Sequence, residues 1–214
     1  MDATPRITAL EPDSRRPESF RVEVDGARYG AISRALVEAE GLAPGRLVDA
    51  ALQEKLTAAA DAEAAYQTVL RALEVRSFAR GDLTRRLLRK GHPRVAVEAA
   101  IQRATELGLL DDAEFARNYV ETRSARGRGP SRLVRDLLSM GVERSLIDRA
   151  IAAEWPEGRD RSAVPLALAQ KRAAQLASLP RQTRRRRVVA YLARRGFSGR
   201  EITQIIDQVI ARKS

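Results

Sequence analysis

The sequence predicts a mainly α-helical protein, made of three tandem three-helix repeats in an elongated curved array and a small N-terminal β-hairpin/helix extension. Three glycines mark the repeat, Gly91, Gly141 and Gly196, which stand 50 and 55 residues apart. Apolar residues stand eight and four positions before each glycine and six and ten positions after it: Leu83, Leu87, Val97 and Ile101; Leu133, Leu137, Ile147 and Ile151; Val188, Leu192, Ile202 and Ile206. This spacing is helical on both sides of a residue that ends helices, and the interval between copies is that of a supersecondary repeat. Only 4% of the residues are aromatic while 44% are hydrophobic, which favours an aliphatic helical core.

The N-terminal extension, residues 1–60, differs from the rest because its patterns are typical of strands. We predict three strands, over residues 6–10, 20–24 and 27–33. The dipeptide Asp25-Gly26 favours a hairpin turn between the last two strands. A ribbon of this size is marginally stable alone, so we expect it to be packed on, or tethered to, the first repeat.

The same extension is predicted to contain a loop and two short helices. The loop spans residues 12–17, and the helices lie near residues 33–40 and 47–55. Residues 41–45 separate the two helices because they contain two glycines and a proline.

The three repeats are predicted over residues 61–110, 111–157 and 158–214, with three helices in each. In the first repeat, the opening helix carries Tyr66 and Val69 on its apolar face. A unit of this size buries too little surface to be stable alone. Stacked units share an apolar boundary and stabilise one another, which is why an array is expected.

Local patterns indicate where several of these helices begin. Asp111, three residues before a glutamate, resembles a capping box for the first helix of the second repeat. Pro130 begins the next helix, where its missing N–H costs nothing. Ser145 with Asp148 predicts a similar cap for the third helix of that repeat. In the third repeat we expect residues 181–187 to enlarge the loop before the second helix.

The sequence offers no convergent set of reactive residues. There is no cysteine and one histidine, His92, which we interpret as a capping or surface residue. Asp111, Asp112 and Glu114 have the charge to bind a cation, but a helix cap explains them more simply. We therefore expect no catalytic, metal-binding or cofactor-binding residues and a protein that is not an enzyme. With no signal peptide and no apolar run of roughly 20 residues, we expect a cytoplasmic protein without a membrane partner.

Positive charge is concentrated towards the C-terminal end of the chain. The formal net charge is +11, and residues 159–214 alone hold fourteen basic and three acidic residues. Basic residues recur on or next to the second helix of each repeat, and we take thirteen of them as candidate binding residues: Arg85, Arg86, Arg89, Lys90, Arg128, Arg132, Arg135, Arg184, Arg185, Arg186, Arg187, Arg194 and Arg195. Stacking of the repeats would align these cations into a discontinuous stripe.

Three explanations fit such a stripe. It attracts the phosphates of single- or double-stranded DNA, with a strong dependence on salt. It equally suits an acidic protein surface. It is also compatible with an ordinary solvated face. Sequence-specific DNA reading is disfavoured, because Glu143 and Glu201 stand near the helix ends that would meet the bases.

Four stretches of the chain resemble the RecX family of RecA modulators: residues 77–91, 108–116, 126–142 and 192–198. The most specific is Gly-Leu-Leu-Asp-Asp-Ala-Glu-Phe-Ala at residues 108–116, and the resemblance covers about residues 64–210. It implies a non-catalytic regulator that lies along the groove of the RecA–DNA filament and mainly inhibits ATP hydrolysis and strand exchange. The expected setting is homologous recombination, DNA repair and the SOS response. We expect the chain itself to be a monomer.

Overall fold

The computed structural model describes residues 4–14, 16–156 and 161–211, and these residues form ten α-helices and three β-strands. The chain divides into two units, Met1–Leu110 and Asp111–Ser214. The first contains the strands and four helices, and the second contains six helices. The mainly helical fold and the small N-terminal sheet are therefore confirmed. Among the described residues, no helix combines the length and the apolar character that crossing a lipid bilayer requires.

The N-terminal sheet is antiparallel and consists of β1 (Ile7–Asp13), β2 (Arg16–Val24) and β3 (Ala27–Ser33), in that order. Asp25 and Gly26 both have positive φ, 50° and 76°, as a type I′ hairpin turn requires. The turn predicted from this dipeptide is confirmed.

The loop predicted over residues 12–17 is wrong, because the first two strands continue into it. Pro12 is paired with Phe20, and Asp13 with Arg16. The backbone tolerates proline here because β1 is an edge strand, where one side of the strand has no ladder to interrupt. Arg15, which falls in the predicted loop, lies outside the described residues.

Two helices follow the sheet, α1 (Arg34–Ala39) and the 24-residue α2 (Ala50–Leu73). Asp49 caps α2 by accepting a hydrogen bond from the Leu52 N–H at 2.8 Å. The separate helices predicted near residues 47–55 and around residue 66 are one helix, because no glycine or proline interrupts residues 50–73. The helix runs through residue 60, where the sequence suggested the end of the extension.

The sheet packs on the N-terminal half of α2. Leu52 and Leu56 of the helix are buried in the same cluster as Ile7, Val22 and Ile32 of the three strands. The approach is close at Gly30, where an added Cβ would lie 2.7 Å from the Cβ of Ala60. The extension is thus anchored to the helix that opens the first repeat.

The first repeat is completed by α3 (Arg80–Arg89) and α4 (Arg94–Glu106). Leu83 and Leu87 of α3 are fully buried and share a core cluster with Val97 and Ala100 of α4. The apolar residues that the sequence repeat places before and after Gly91 therefore form the interior of the unit.

The second unit contains two further sets of three helices. These are α5 (Asp112–Ser124), α6 (Pro130–Ser139), α7 (Arg144–Glu154), α8 (Ala163–Gln175), α9 (Arg181–Arg195) and α10 (Arg200–Ala211). Gly141 and Gly196 follow α6 and α9 with φ of 83° and 91°, and Gly91 follows α3 with φ of 88°. Glycine is preferred in this left-handed conformation, so the helix-ending role predicted for the three glycines is confirmed.

The predicted helix starts have mixed outcomes. Asp111 caps α5 as expected, because its carboxylate accepts hydrogen bonds from the N–H groups of Ala113 at 2.7 Å and Glu114 at 3.0 Å. The cap predicted at Ser145 is wrong, since this residue lies inside α7, whose first turn follows Glu143. The loop predicted over residues 181–187 is also wrong. These residues form the first half of α9, because arginine is a good helix former and no glycine or proline stands among them.

Candidate functional site

Helix α3 presents the cationic face of the first unit. Its buried leucines leave four basic candidates on the exposed side: Arg85, Arg86, Arg89 and Lys90. Asp82 forms ion pairs with Arg85 at 3.6 Å and with Arg76 at 3.7 Å. Neither the guanidinium of Arg89 nor the ammonium of Lys90 pairs with a carboxylate in the part of the chain that the structure describes. The C-terminal end of α3 therefore carries the unneutralised charge.

The ring of Phe78 lies against two guanidinium groups, those of Arg76 and Arg86. The Cζ of Arg76 lies 3.6 Å from the centroid of the ring, and that of Arg86 lies 5.5 Å away. A guanidinium within about 6 Å of an aromatic ring is attracted by the quadrupole of the ring. Arg76 was not selected from the sequence, since it precedes the helix and its ring contact depends on the turn between α2 and α3.

In α6 the basic candidates are mostly engaged within the protein. Arg128 and Arg132 both donate to the carboxylate of Asp136, which is only 13% exposed, and the Arg132 bond measures 2.8 Å. The Tyr119 hydroxyl donates to the same carboxylate at 3.3 Å. Burial raises the pKa of Tyr119, and the Asp136 charge raises it further. Arg135 remains exposed, with its Nε donating to the carbonyl oxygen of Ser131 at 3.3 Å.

Two of the four consecutive arginines of α9 are held by the protein itself: Arg184 is buried, and Arg185 lies at the surface in an ion pair. Arg184 is 7% exposed, and its Nε has no hydrogen-bond partner among the described residues. Arg185 binds the carboxylate of Asp207 on α10 through Nε at 2.6 Å and Nη2 at 3.3 Å. This hydrogen bond lowers the pKa of Asp207 and raises that of Arg185. The charge of Arg184 is therefore enclosed and that of Arg185 is paired at the surface, so neither is available to a partner in the way the sequence suggested.

The outward side of α9 holds the exposed arginines Arg186, Arg187 and Arg194. Arg187 and Arg194 are seven residues apart, which places them on the same side of a helix with 3.6 residues per turn, about 10.5 Å apart along its axis. None of the three forms an ion pair or hydrogen bond with a described residue, and α9 contains no acidic residue. This is the largest group of unneutralised exposed cations on one described helix.

The last arginine of α9 has a structural contact instead. Arg195 donates from Nη1 to the carbonyl oxygens of Gly127 at 3.2 Å and Arg126 at 3.4 Å. The N–H of Gly129 donates back to the carbonyl oxygen of Arg195 at 2.7 Å. An added Cβ at Gly129 would lie 2.5 Å from the carbonyl oxygen of Gly196, so only glycine fits there. The loop before α6 is thereby joined to the end of α9.

The sequence did not indicate this junction. Its partners stand 68 and 69 residues apart, and helical periodicity carries no information over that distance. The two glycines before Pro130 are the one local feature that pointed to a close approach of backbones.

The single histidine is also part of the framework. His92 is half-buried, and its Nε2 lies 3.2 Å from the hydroxyl of Thr68 on α2. The turn between α3 and α4 is thus held on the preceding helix. Over residues 4–14, 16–156 and 161–211, no group of three or more His, Asp or Glu side chains is placed to hold a metal ion.

Contacts within the protein therefore divide the thirteen candidates. Five are committed to the fold: Arg128, Arg132, Arg184, Arg185 and Arg195. Arg85 is paired with Asp82, and Arg86 lies over Phe78. Six are exposed and not held by a carboxylate or ring of the described residues: Arg89, Lys90, Arg135, Arg186, Arg187 and Arg194.

Comparisons with known proteins place this fold in a family. Two RecX family models, described as the second and third three-helix domains, match residues 111–151 and 166–206. Regulatory protein RecX of Mycobacterium ulcerans is 33% identical over 153 residues, which are 70% of this chain and 86% of that protein. Regulatory protein RecX of Streptomyces coelicolor is 34% identical over 150 residues, covering 69% and 78%. A crystal structure of a regulatory protein RecX matches with a TM-score of 0.75 at 22% identity, over 96% of this chain and 98% of that one, and shows the same fold.

Proposed function

Because the chain belongs to the RecX family, we propose that it is a non-catalytic regulator that binds the RecA–DNA filament and mainly inhibits its ATP hydrolysis and strand exchange. The proposed setting is recombinational DNA repair in the cytoplasm, where the filament forms. The contact is proposed to be made by exposed cations on the second helices of the repeats.

The observation that carries this proposal is the row of unneutralised arginines on α9. Arg186, Arg187 and Arg194 point away from the core and have no carboxylate partner in the described structure. A filament supplies both anionic DNA and protein surface along its groove, and complementary charge speeds association and fixes orientation. Contacts that are individually weak sum when one chain carries several of them, so α3 and α9 together would bind more tightly than either.

The direct test is an ATPase assay of the cognate RecA on single-stranded DNA, with increasing amounts of this protein. The proposal expects the hydrolysis rate to fall as the protein approaches stoichiometry with RecA. Strand exchange measured under the same conditions is expected to fall in parallel. An unchanged rate at stoichiometric amounts in both assays would rule out this function.

A second candidate is direct binding to nucleic acid without RecA, and the absence of acidic residues from α9 favours it. Each phosphate contact that is lost reduces the slope of log K against log[salt] by about 0.7 to 0.9. Replacing Arg186, Arg187 and Arg194 by alanine is therefore expected to reduce the slope by about 2 on single-stranded DNA. If the wild-type chain binds no oligonucleotide without RecA, this second candidate is rejected and the filament itself is the partner.

A further inference from the structure

A groove runs between α2 and α4 in the first unit and is not used by the proposed function. It has a volume of about 760 Å³, and five of the eleven residues that line it are alanines: Ala50, Ala58, Ala62, Ala96 and Ala99. Val95 at its edge is 74% exposed, although it is a large apolar residue. Small residues allow a second helix to approach closely, since the distance between packed helix axes depends on the side chains at the contact.

Two carboxylates border this groove along α2. Glu54 and Asp61 are seven residues apart, so they lie on one side of the helix, about 10.5 Å from each other along its axis. Neither forms an ion pair or hydrogen bond with a described residue, and the described lining contains no basic side chain. The groove therefore combines an apolar floor with an unneutralised acidic border.

The outward face of α9 has the complementary composition. Arg187 and Arg194 repeat the seven-residue spacing of the two carboxylates, and Ala190 lies exposed between them. Because the intervals on the two helices are equal, both arginines can face both carboxylates at once while the alanines meet.

We propose that the groove binds helix α9 of a second copy of this chain. In this contact Arg187 and Arg194 of one copy pair with Glu54 and Asp61 of the other, and Ala190 meets the alanines of the groove. The two surfaces are different, so the contact is heterologous and each copy offers one surface of each kind. Exposed ion pairs and a small apolar contact make the association weak, reversible and sensitive to salt. Under this proposal the chain, expected to be a monomer from its sequence, associates only at high concentration.

The contact also bears on regulation, and this consequence rests on the proposed function. Arg187 and Arg194, which contact the groove of another copy, are also among the arginines proposed to contact the filament. A copy bound in this way therefore has its α9 covered. The self-association itself needs neither RecA nor DNA, and its test contains neither.

The test is sedimentation equilibrium of the full chain at several concentrations up to about 200 µM, because a weak contact is populated only at high protein concentration. We expect an average mass that rises above the monomer with concentration at low salt and falls back towards it when the ionic strength is raised about tenfold. A chain that remains monomeric throughout overturns the proposal.

Two double variants then identify the surfaces. Glu54→Gln/Asp61→Asn removes the acidic border, and Arg187→Ala/Arg194→Ala removes the cationic row. Each variant alone is expected to be monomeric, whereas an equimolar mixture forms a one-to-one complex. The mixture has one intact groove and one intact α9, so it also shows that both variants are folded. A mixture without any complex, or a variant that self-associates like the wild type, overturns the assignment.

Matched variants control for the loss of charge. Glu23→Gln/Glu38→Gln removes two exposed carboxylates of the first unit, and Arg117→Ala/Arg149→Ala removes two exposed arginines of the second. Both are expected to associate as the wild type does. Loss of association in these controls would show that net charge, not the groove, drives it and would contradict the proposal.

Discussion

Arg195 at the end of α9 donates a hydrogen bond to the carbonyl oxygen of Gly127, 3.2 Å away and 68 residues earlier in the chain. Within the second unit, this bond joins the helical set α5–α7 to the helical set α8–α10 through one guanidinium and backbone carbonyl oxygens. An arginine that the sequence suggests for partner binding is therefore part of the framework. Arginines that are held within the fold and arginines that are exposed should therefore respond differently to substitution.

Arg195→Ala is expected to lower the free energy of unfolding of the second unit by about 1.5 to 3 kcal/mol, the range for hydrogen bonds made by a charged group. Urea unfolding followed by fluorescence of Trp155 measures this, since the single tryptophan lies in the second unit. The control is Arg194→Ala, an exposed neighbour, for which the change should stay within about 0.5 kcal/mol. Equal effects of the two substitutions would show that the Gly127 contact contributes nothing.

Gly196→Ala is expected to destabilise the protein far more than Gly91→Ala, although both glycines follow a helix at almost the same φ. At Gly91 an added Cβ meets nothing within 4 Å, so only the left-handed conformation is penalised, by about 1 to 2 kcal/mol. At Gly196 the Cβ would lie 2.4 Å from the backbone nitrogen of Arg132, and the total loss should exceed about 3 kcal/mol. Thermal unfolding followed by circular dichroism compares them, and similar losses would contradict the close junction.

Asp136→Asn is expected to cost about 1 to 3 kcal/mol, because it weakens the bonds of Arg128 and Arg132 at a carboxylate that is 13% exposed. The matched control is Asp148→Asn, which breaks an i,i+4 pair with Arg144 at a carboxylate 54% exposed. Such surface pairs contribute about 0.3 to 0.5 kcal/mol. Chemical denaturation distinguishes the two, and an Asp136 variant as stable as the control would show that the cluster has no structural role.

Asp207 is expected to titrate below the usual aspartate pKa of about 3.9, because the hydrogen bond from Arg185 favours its charged form. A pKa that is lower in the folded state contributes stability above the unfolded value, and this contribution is lost as the pH falls through the folded value. Carbon-detected NMR of the carboxyl group gives the pKa directly. In Arg185→Gln the pKa should rise towards the usual value, and identical titrations in the two proteins would contradict the assignment.

Local patterns predicted much of the fold. The hairpin turn and three helix ends were predictable because glycine readily adopts positive φ, whatever its neighbours are. These positions are Asp25-Gly26, Gly91, Gly141 and Gly196. The continuity of α2 was missed because residues 57–65 contain six alanines and no large apolar residue, so the pattern alone looks like two helices. In the structure Ala59 and Ala60 pack with the N-terminal cluster and Ala65 with the core of the first repeat.

The candidate site was only partly predictable, because its composition depends on distant partners. Helical periodicity shows that a run such as residues 184–187 covers all sides of α9, but not which arginine meets Asp207 on another helix. Likewise, Asp136 neutralises Arg132 within one helix and Arg128 across a loop, and only the first is visible as an i,i+4 spacing. The sequence therefore located the basic helices, and the structure separates their paired arginines from the exposed ones.

Whether the exposed arginines of α9 carry the contact with the RecA filament is decided by the half-inhibitory concentration in the RecA ATPase assay. The variant Arg186→Ala/Arg187→Ala/Arg194→Ala is compared with Arg117→Ala/Arg149→Ala/Lys171→Ala, which removes the same charge from exposed positions of the same unit. We expect the α9 variant to need at least about tenfold more protein for half-inhibition, equivalent to about 1.4 kcal/mol of binding, while the control inhibits as the wild type does. Equal half-inhibitory concentrations for the wild type and the α9 variant would contradict this expectation.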